Sequence, residues 1–216
     1  MKSFFVIGFA LAAAGFAAAD TLSTVLPSGH KDLISGSDLP GGSTRDGIQV
    51  PYNVTGTPSH NGIGDGGNTV VTVDMAAALG LPSGSPVTFN GVGWDVTLFA
   101  DVNVGPFGGS WLSELTVGFS ADGDTSPDVT LAPGAGNNFS GTLTFASPVI
   151  KLGDVGIPNI ELPTGLLRME FFEGFDDDIN LDDGSWLNGG LTLQAVPEPT
   201  SLGLIVLGGL LLRRRS

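Results

Sequence analysis

The chain has 216 residues, no cysteine, and 22 acidic against 8 basic side chains, for a net charge of −14 at neutral pH. Without cysteine it forms no disulfide, offers no thiolate nucleophile and builds no zinc–thiolate site. Negative charge of this size repels nucleic acid and anionic lipid, and at this density it favours solubility or divalent cations.

The first element is a leader. Met1-Lys2-Ser3 opens with one positive charge, an apolar run extends from Phe4 to Phe16, and Ala17-Ala18-Ala19 precedes Asp20. A cationic start, an apolar stretch of that length and a small-x-small site read as a secretory signal peptide over residues 1–19, cut after Ala19 with Ala17 and Ala19 as the small pair. The run is too short to span a bilayer comfortably, which argues against a permanent anchor. Residues 20–47 then form a loose lead-in of Leu-Ile and Leu-Pro fragments among Ser and Gly, with one edge strand expected near Leu22 to Leu26.

From residue 48 to 196 the pattern is that of one β domain. Glycine (34) and proline (14) together exceed a fifth of the chain, a heavy load for helices yet below the level of disorder. Ile48 to Thr55 carries Val50, Tyr52 and Val54 on one side, and Pro51 confines it to a sheet edge. A glycine-rich turn, His60 to Asn68, leads into Thr69 to Met75, after which Ala76 to Leu79 adds one helical turn before Pro82. Val87 to Val104 is long enough for two strands or one bent strand, with Val92, Trp94, Val96 and Leu98 on a single face. The same alternation returns in Leu115, Val117 and Phe119, in Leu143 and Phe145, in Leu167, Met169 and Phe171, and in Leu191, Leu193 and Ala195. Eight or nine strands separated by turns predict an all-β, antiparallel β-sandwich of jelly-roll type. Gly93-Trp94-Asp95-Val96, Gly109 to Leu115 (Gly-Ser-Trp-Leu-Ser-Glu-Leu) and Asp183-Gly184-Ser185-Trp186-Leu187 are similar to strand cores of galactose-binding-like and convertase P-type jelly rolls, and this resemblance implies the fold more than any activity.

Two groups of acids are candidate calcium ligands. Asp176, Asp178, Asn180 and Asp182 precede Gly184, and Asp122, Asp124 and Asp128 surround Gly123; calcium takes hard oxygens from flexible glycine-containing loops and is plentiful outside cells. The Asp178-Asn180-Asp182 spacing begins like an EF-hand loop, but the glycine falls one place late and no glutamate closes the loop. Solvated acidic turns are the plainer account of both runs. Trp111 and Trp186, beside Gly-Ser and acidic turns, are candidates for stacking on sugar rings, whereas Trp94 keeps the period of its apolar neighbours and reads as core. No catalytic residue is assigned. His30 and His60 sit in polar loops without a nucleophile pattern, and paired carboxylates such as Glu170 and Glu173, which a glycosidase could use, fall on opposite sides of a strand. The chain therefore reads as non-enzymatic.

The last element is an address, residues 197–216. Pro197-Glu198-Pro199 is stiff and non-helical, reading as an exposed tripeptide; Ser201 to Leu212 holds only serine, glycine and aliphatic side chains; Arg213, Arg214 and Arg215 follow. An apolar run closed by three arginines fits a membrane helix whose cationic end stays cytoplasmic, although a buried core helix with a basic end has the same composition. The twelve residues reach about 18 Å against a hydrocarbon core of about 30 Å, a gap that snorkelling and local thinning narrow. The ordered triple resembles the PEP-CTERM sorting signal of bacterial surface proteins. That resemblance implies transient anchoring in the inner membrane, an exosortase that cuts near the tripeptide, and delivery to the cell surface or extracellular matrix. Exosortase, the secretion machinery and the cell's own extracellular polysaccharide are the expected partners, with a calcium-dependent carbohydrate-binding module as the alternative function. Of the 22 acidic residues 21 lie in residues 20–196, beside only Lys31, Arg45, Lys151 and Arg168, so the exported span carries −17.

Overall fold

The structure, a computed structural model, describes residues 6–7, 47–102, 109–175, 182 and 184–198. Its strands are β1 (Val6–Ile7), β2 (Ile48–Asn53), β3 (Thr57–Ser59), β4 (Thr69–Asp74), β5 (Val87–Ala100), β6 (Leu115–Ala121), β7 (Val129–Leu131), β8 (Gly141–Lys151), β9 (Ile160–Leu162), β10 (Leu166–Glu173) and β11 (Gly184–Pro197). One sheet runs β1-β7-β6-β10-β4 and the other β2-β11-β5-β8, with β3 added to β11 and β9 added to β5. The chain crosses between sheets at most of its loops, and all pairings except β1 with β7 are antiparallel. An antiparallel β-sandwich is the result.

The period of two decides which side chains meet between the sheets. Val92, Trp94, Val96 and Leu98 of β5 are buried, and so are Leu115, Val117 and Phe119 of β6, Leu167, Met169 and Phe171 of β10, and Leu191, Leu193 and Ala195 of β11. Two aromatic pairs bridge the layers. Phe89 of β5 stacks on Phe119 of β6 with centroids 5.4 Å apart, and Phe171 of β10 meets Trp186 of β11 edge-on at 5.3 Å. Within the stretch that begins at Val87 the chain forms the single strand β5, Val87–Ala100, which carries a register shift against β8 between Val92 and Trp94. Pro51 lies in β2, an edge strand paired on one side only, so its missing donor faces away from any ladder. The expected helical turn is Met75–Ala78, capped by the Asp74 carboxylate, which accepts from the Ala77 amide at 2.8 Å.

Two expectations change. Trp186 is not a surface residue: it is fully buried, because the β11 ladder sets it opposite Leu98 of β5 on the inner face, where Phe171 meets it. Its indole Nε1 is buried without a hydrogen-bond partner. The residue pushed outward is Leu187, 43 % exposed, at a bulge between Trp186 and Asn188. Gly189, with φ of +100°, turns the chain there, and a Cβ would lie 2.0 Å from the Asp95 carbonyl oxygen. Second, Pro197-Glu198 is no free tether: Pro197 is the last residue of β11, paired with Val87, and the Glu198 amide donates to the Pro86 carbonyl at 3.3 Å. Two residues of the expected leader, Val6 and Ile7, form a parallel pair with Thr130 and Leu131 at the outer edge of β7. The remaining leader residues, including Ala17 and Ala19, lie outside the described residues, as do the expected strand near Leu22 to Leu26, His30, and Pro199 through Arg213, Arg214 and Arg215. No helix among the described residues is long and apolar enough to cross a membrane.

The depths of the two candidate tryptophans give different expected costs. Trp186→Ala lowers unfolding free energy by about 3–5 kcal/mol through loss of burial and an unfilled cavity, while Trp111→Ala stays within about 0.5 kcal/mol, both read from urea unfolding curves.

Candidate functional site

Polar chemistry collects at two ends of the sandwich. At the first, the glycine-rich loop 60–68 folds over the outer face of β10 and closes on Glu170. This carboxylate is fully buried and accepts from the Gly64 amide at 2.6 Å, from Asn68 Nδ2 at 2.8 Å and from the Arg168 guanidinium at 2.7 Å. Burial alone would push the carboxyl up, but Asn68, Gly64 and the positive charge of Arg168 outweigh it and hold Glu170 below the ordinary value. The loop is fastened again where His60 Nδ1 stands 3.1 Å from the Asp182 carboxylate. The His60 ring lies on the backbone of Gly67, where a Cβ would fall 2.0 Å from Cδ2, so any side chain at this position must displace the ring.

Beside this loop, Ser110 Oγ lies 3.1 Å from Glu114 Oε2 and 3.2 Å from the buried Glu173 Oε2. One hydroxyl thus stands between two carboxyl groups and can donate to either, but not to both at once. Glu114 also accepts the Trp111 amide at 2.7 Å, and the Gly174 amide donates to the Glu114 carbonyl at 2.8 Å. These bonds fix the backbone of Trp111 while its indole remains 43 % exposed. Glu170 and Glu173 serve different partners, the 60–68 loop and Ser110, as their opposite positions on β10 require.

Of the calcium candidates, Asp176, Asp178 and Asn180 lie outside the described residues, and Asp182 is placed against His60. Asp122, Asp124 and Asp128 occupy the β6–β7 turn. Asp124 accepts the Ser126 amide on its side chain at 3.0 Å and Ser120 Oγ on its carbonyl at 2.8 Å, and the Asp128 amide donates to Phe119. Among the described residues no three acidic or histidine side chains converge to hold a metal ion.

The second polar end is where β11 stops. Thr88 Oγ1, on β5, is within hydrogen-bonding distance of Glu161 Oε2 on β9, at 2.8 Å, and of Glu198 Oε1. Again one hydroxyl faces two carboxyl groups, and a single hydroxyl proton cannot reach both. The hydrogen bond to Glu198, with some burial, raises Glu161 above its ordinary value, while the bonds from Thr88 and Glu161 lower Glu198. Of the two, Glu161 is therefore the one that holds its proton more tightly.

A third feature is an open groove of about 630 Å³ across the six-stranded sheet, lined by Tyr52, Trp94, Asp95, Gln49, Asn53 and Thr192 among others. Trp94 is largely core, as its period implies, yet it reaches this groove at 8 % exposure.

Neither Thr88, Glu161 nor Asn68 stands out in the sequence. Glu161 between Ile160 and Leu162 reads as an outward residue of a short strand, which gives its direction but not its partner 37 positions away. No protein-family model matches this chain, and neither does any curated protein.

Removing the Glu170 carboxylate leaves the Gly64 amide and the Arg168 guanidinium without this acceptor, and Asn68 Nδ2 with only the Gly62 carbonyl. Glu170→Ala should cost about 3 kcal/mol at neutral pH. Because the native carboxyl is held low, its contribution is present above the ordinary value and fades as pH falls through the native one. The gap between wild type and variant in pH-dependent unfolding should therefore narrow on acidification below pH ~4.5.

Proposed function

We propose that this chain is an exported, non-enzymatic β-sandwich delivered to the bacterial surface or extracellular matrix, with Pro197-Glu198-Pro199 as its sorting and processing element. The observation that carries this is the position of the motif: β11 ends at Pro197, so the domain is complete at the residue where the motif starts. The leader-like residues 1–19 and the apolar run with Arg213, Arg214 and Arg215 supply the route, through the secretion machinery, a transient membrane stage and an exosortase. The sandwich is read as a jelly roll. Support comes from the strand order: numbering the eight strands β2, β4, β5, β6, β7, β8, β10 and β11 in sequence, one sheet is 1-8-3-6 and the other 2-7-4-5. Glu198→Ala in the producing cell should leave the chain uncut and membrane-associated, read from the mass and fractionation of the protein. Normal cutting and release of this variant would remove the sorting assignment.

A second function, binding of the cell's own extracellular polysaccharide, is favoured by the exposed and backbone-fixed Trp111 and by the polar groove with Tyr52 and Asp95. Trp186 no longer belongs to it. Calcium enters only in this second function, through the acidic residues around Asp182. Trp111→Ala should weaken retention on that polysaccharide by roughly tenfold, as loss of one aromatic stacking contact implies, in pull-downs run with calcium and with chelator.

A further inference from the structure

We propose that the sandwich holds its own sorting motif in a docked, protected state: the edge formed by Pro86, Thr88 and Glu161 is a binding site for Glu198, and the motif must lift off it before a processing enzyme can engage. This rests on Pro197-Glu198-Pro199 being the processing element proposed above. A cutting enzyme needs the backbone around its target extended and free, and needs the motif side chain within reach. Here the Pro197 position is paired with Val87 in the β5–β11 ladder, the Glu198 amide is committed to the Pro86 carbonyl, and the Glu198 carboxyl is turned onto Thr88 and Glu161. All three handles of the motif are in use.

The dock has a chemical condition. Thr88 has one proton to donate, so with both carboxyls ionised one carboxylate faces the other with no donor between them, and the contact closes only when one carboxyl carries a proton. Among the described residues, the groups that face the Glu198 carboxyl are Thr88 from β5, which is uncharged, and Glu161 from β9, which is acidic. Glu161 holds its proton more tightly in the dock than outside it, so its contribution is complete below the ordinary glutamate value and is lost as pH rises through the docked value. Glu198 is held lower, so its contribution persists above the ordinary value and is lost only on stronger acidification. Both contributions coincide near the ordinary glutamate value of 4.5, and toward neutrality the Glu161 contribution is lost while that of Glu198 remains. Acid closes the dock and neutral pH loosens it.

The test is a pulse–chase of the full chain in the producing cell at external pH 5 and pH 8, following loss of the C-terminal segment by mass. Wild type, Thr88→Val, Glu161→Ala, Glu161→Gln and Glu198→Ala are compared, with thermal unfolding of each. Thr88→Val and Glu161→Ala should be cut about five- to tenfold faster than wild type at pH 5, the effect of losing one charge-assisted hydrogen bond. Glu161→Gln has a permanent neutral donor in place of the shared proton. It should stay docked, be cut several-fold more slowly than wild type at pH 8, and lose the difference between the two pH values. If Glu198→Ala is not cut, but Thr88→Val, Glu161→Ala and Glu161→Gln are all processed at the wild-type rate, the dock has no protective role. If Glu198→Ala is cut normally, the sorting assignment itself fails. Should Thr88→Val or Glu161→Ala unfold, the isosteric Glu161→Gln, with its opposite expected sign, decides alone.

Discussion

The ladder between β5 and β11 is the constraint on which the molecule depends. It runs from Gly184 opposite Ala100 to Pro197 opposite Val87, the full length of both strands. On its other side β11 carries β2 and β3, and β5 carries β8 and β9, so one ladder organises the whole six-stranded sheet. Its register settles which residues face the second sheet. A slip by one place would turn Trp186, Leu191 and Leu193 to solvent and bring Ser185, Thr192 and Gln194 inward. Stacking of Phe89 on Phe119 and the edge contact of Phe171 with Trp186 then lock that register across the interlayer space.

Because the ladder has two ends, it also sets the two polar regions at a fixed relation to one another. One end begins at Gly184, beside Asp182 and the loop closed on Glu170; the other delivers Glu198 to Thr88 and Glu161. The loop end is braced by ionised carboxylate with full hydrogen bonding, a permanent arrangement at neutral pH. The motif end is an acid pair on one hydroxyl, a conditional arrangement.

Much of the sandwich was legible because long strands state their period several times over. Val92 to Leu98 and Leu191 to Ala195 each show three or more inward residues in strict alternation, and Pro51 marks β2 as an edge strand, as the pairing bears out. Strands of three residues, such as β3, β7 and β9, are too brief to declare a period. Trp186 was misread for a related reason: its neighbours Ser185 and Gly184 are the composition of a turn, but a bulge at Leu187 resets the phase and sends the indole inward. The loop closed on Glu170 and the dock of Glu198 were illegible on other grounds. Each joins residues far apart in the chain, Gly64 with Glu170 and Glu198 with Thr88, through contacts that only the assembled sheets create.

The unequal depths of the tryptophans give the protein a built-in optical ruler. Trp186 is sealed between the sheets with its N–H unbonded, Trp94 sits just beneath the surface of the groove, and Trp111 stands in water on a fixed backbone. Emission from a dry, unbonded indole lies to the blue of that from a wet one, and a dissolved quencher reaches only the latter. Separation of the two layers and loosening of a surface loop therefore leave different spectral traces, so intrinsic fluorescence can tell opening of the core from motion at its rim without any added label.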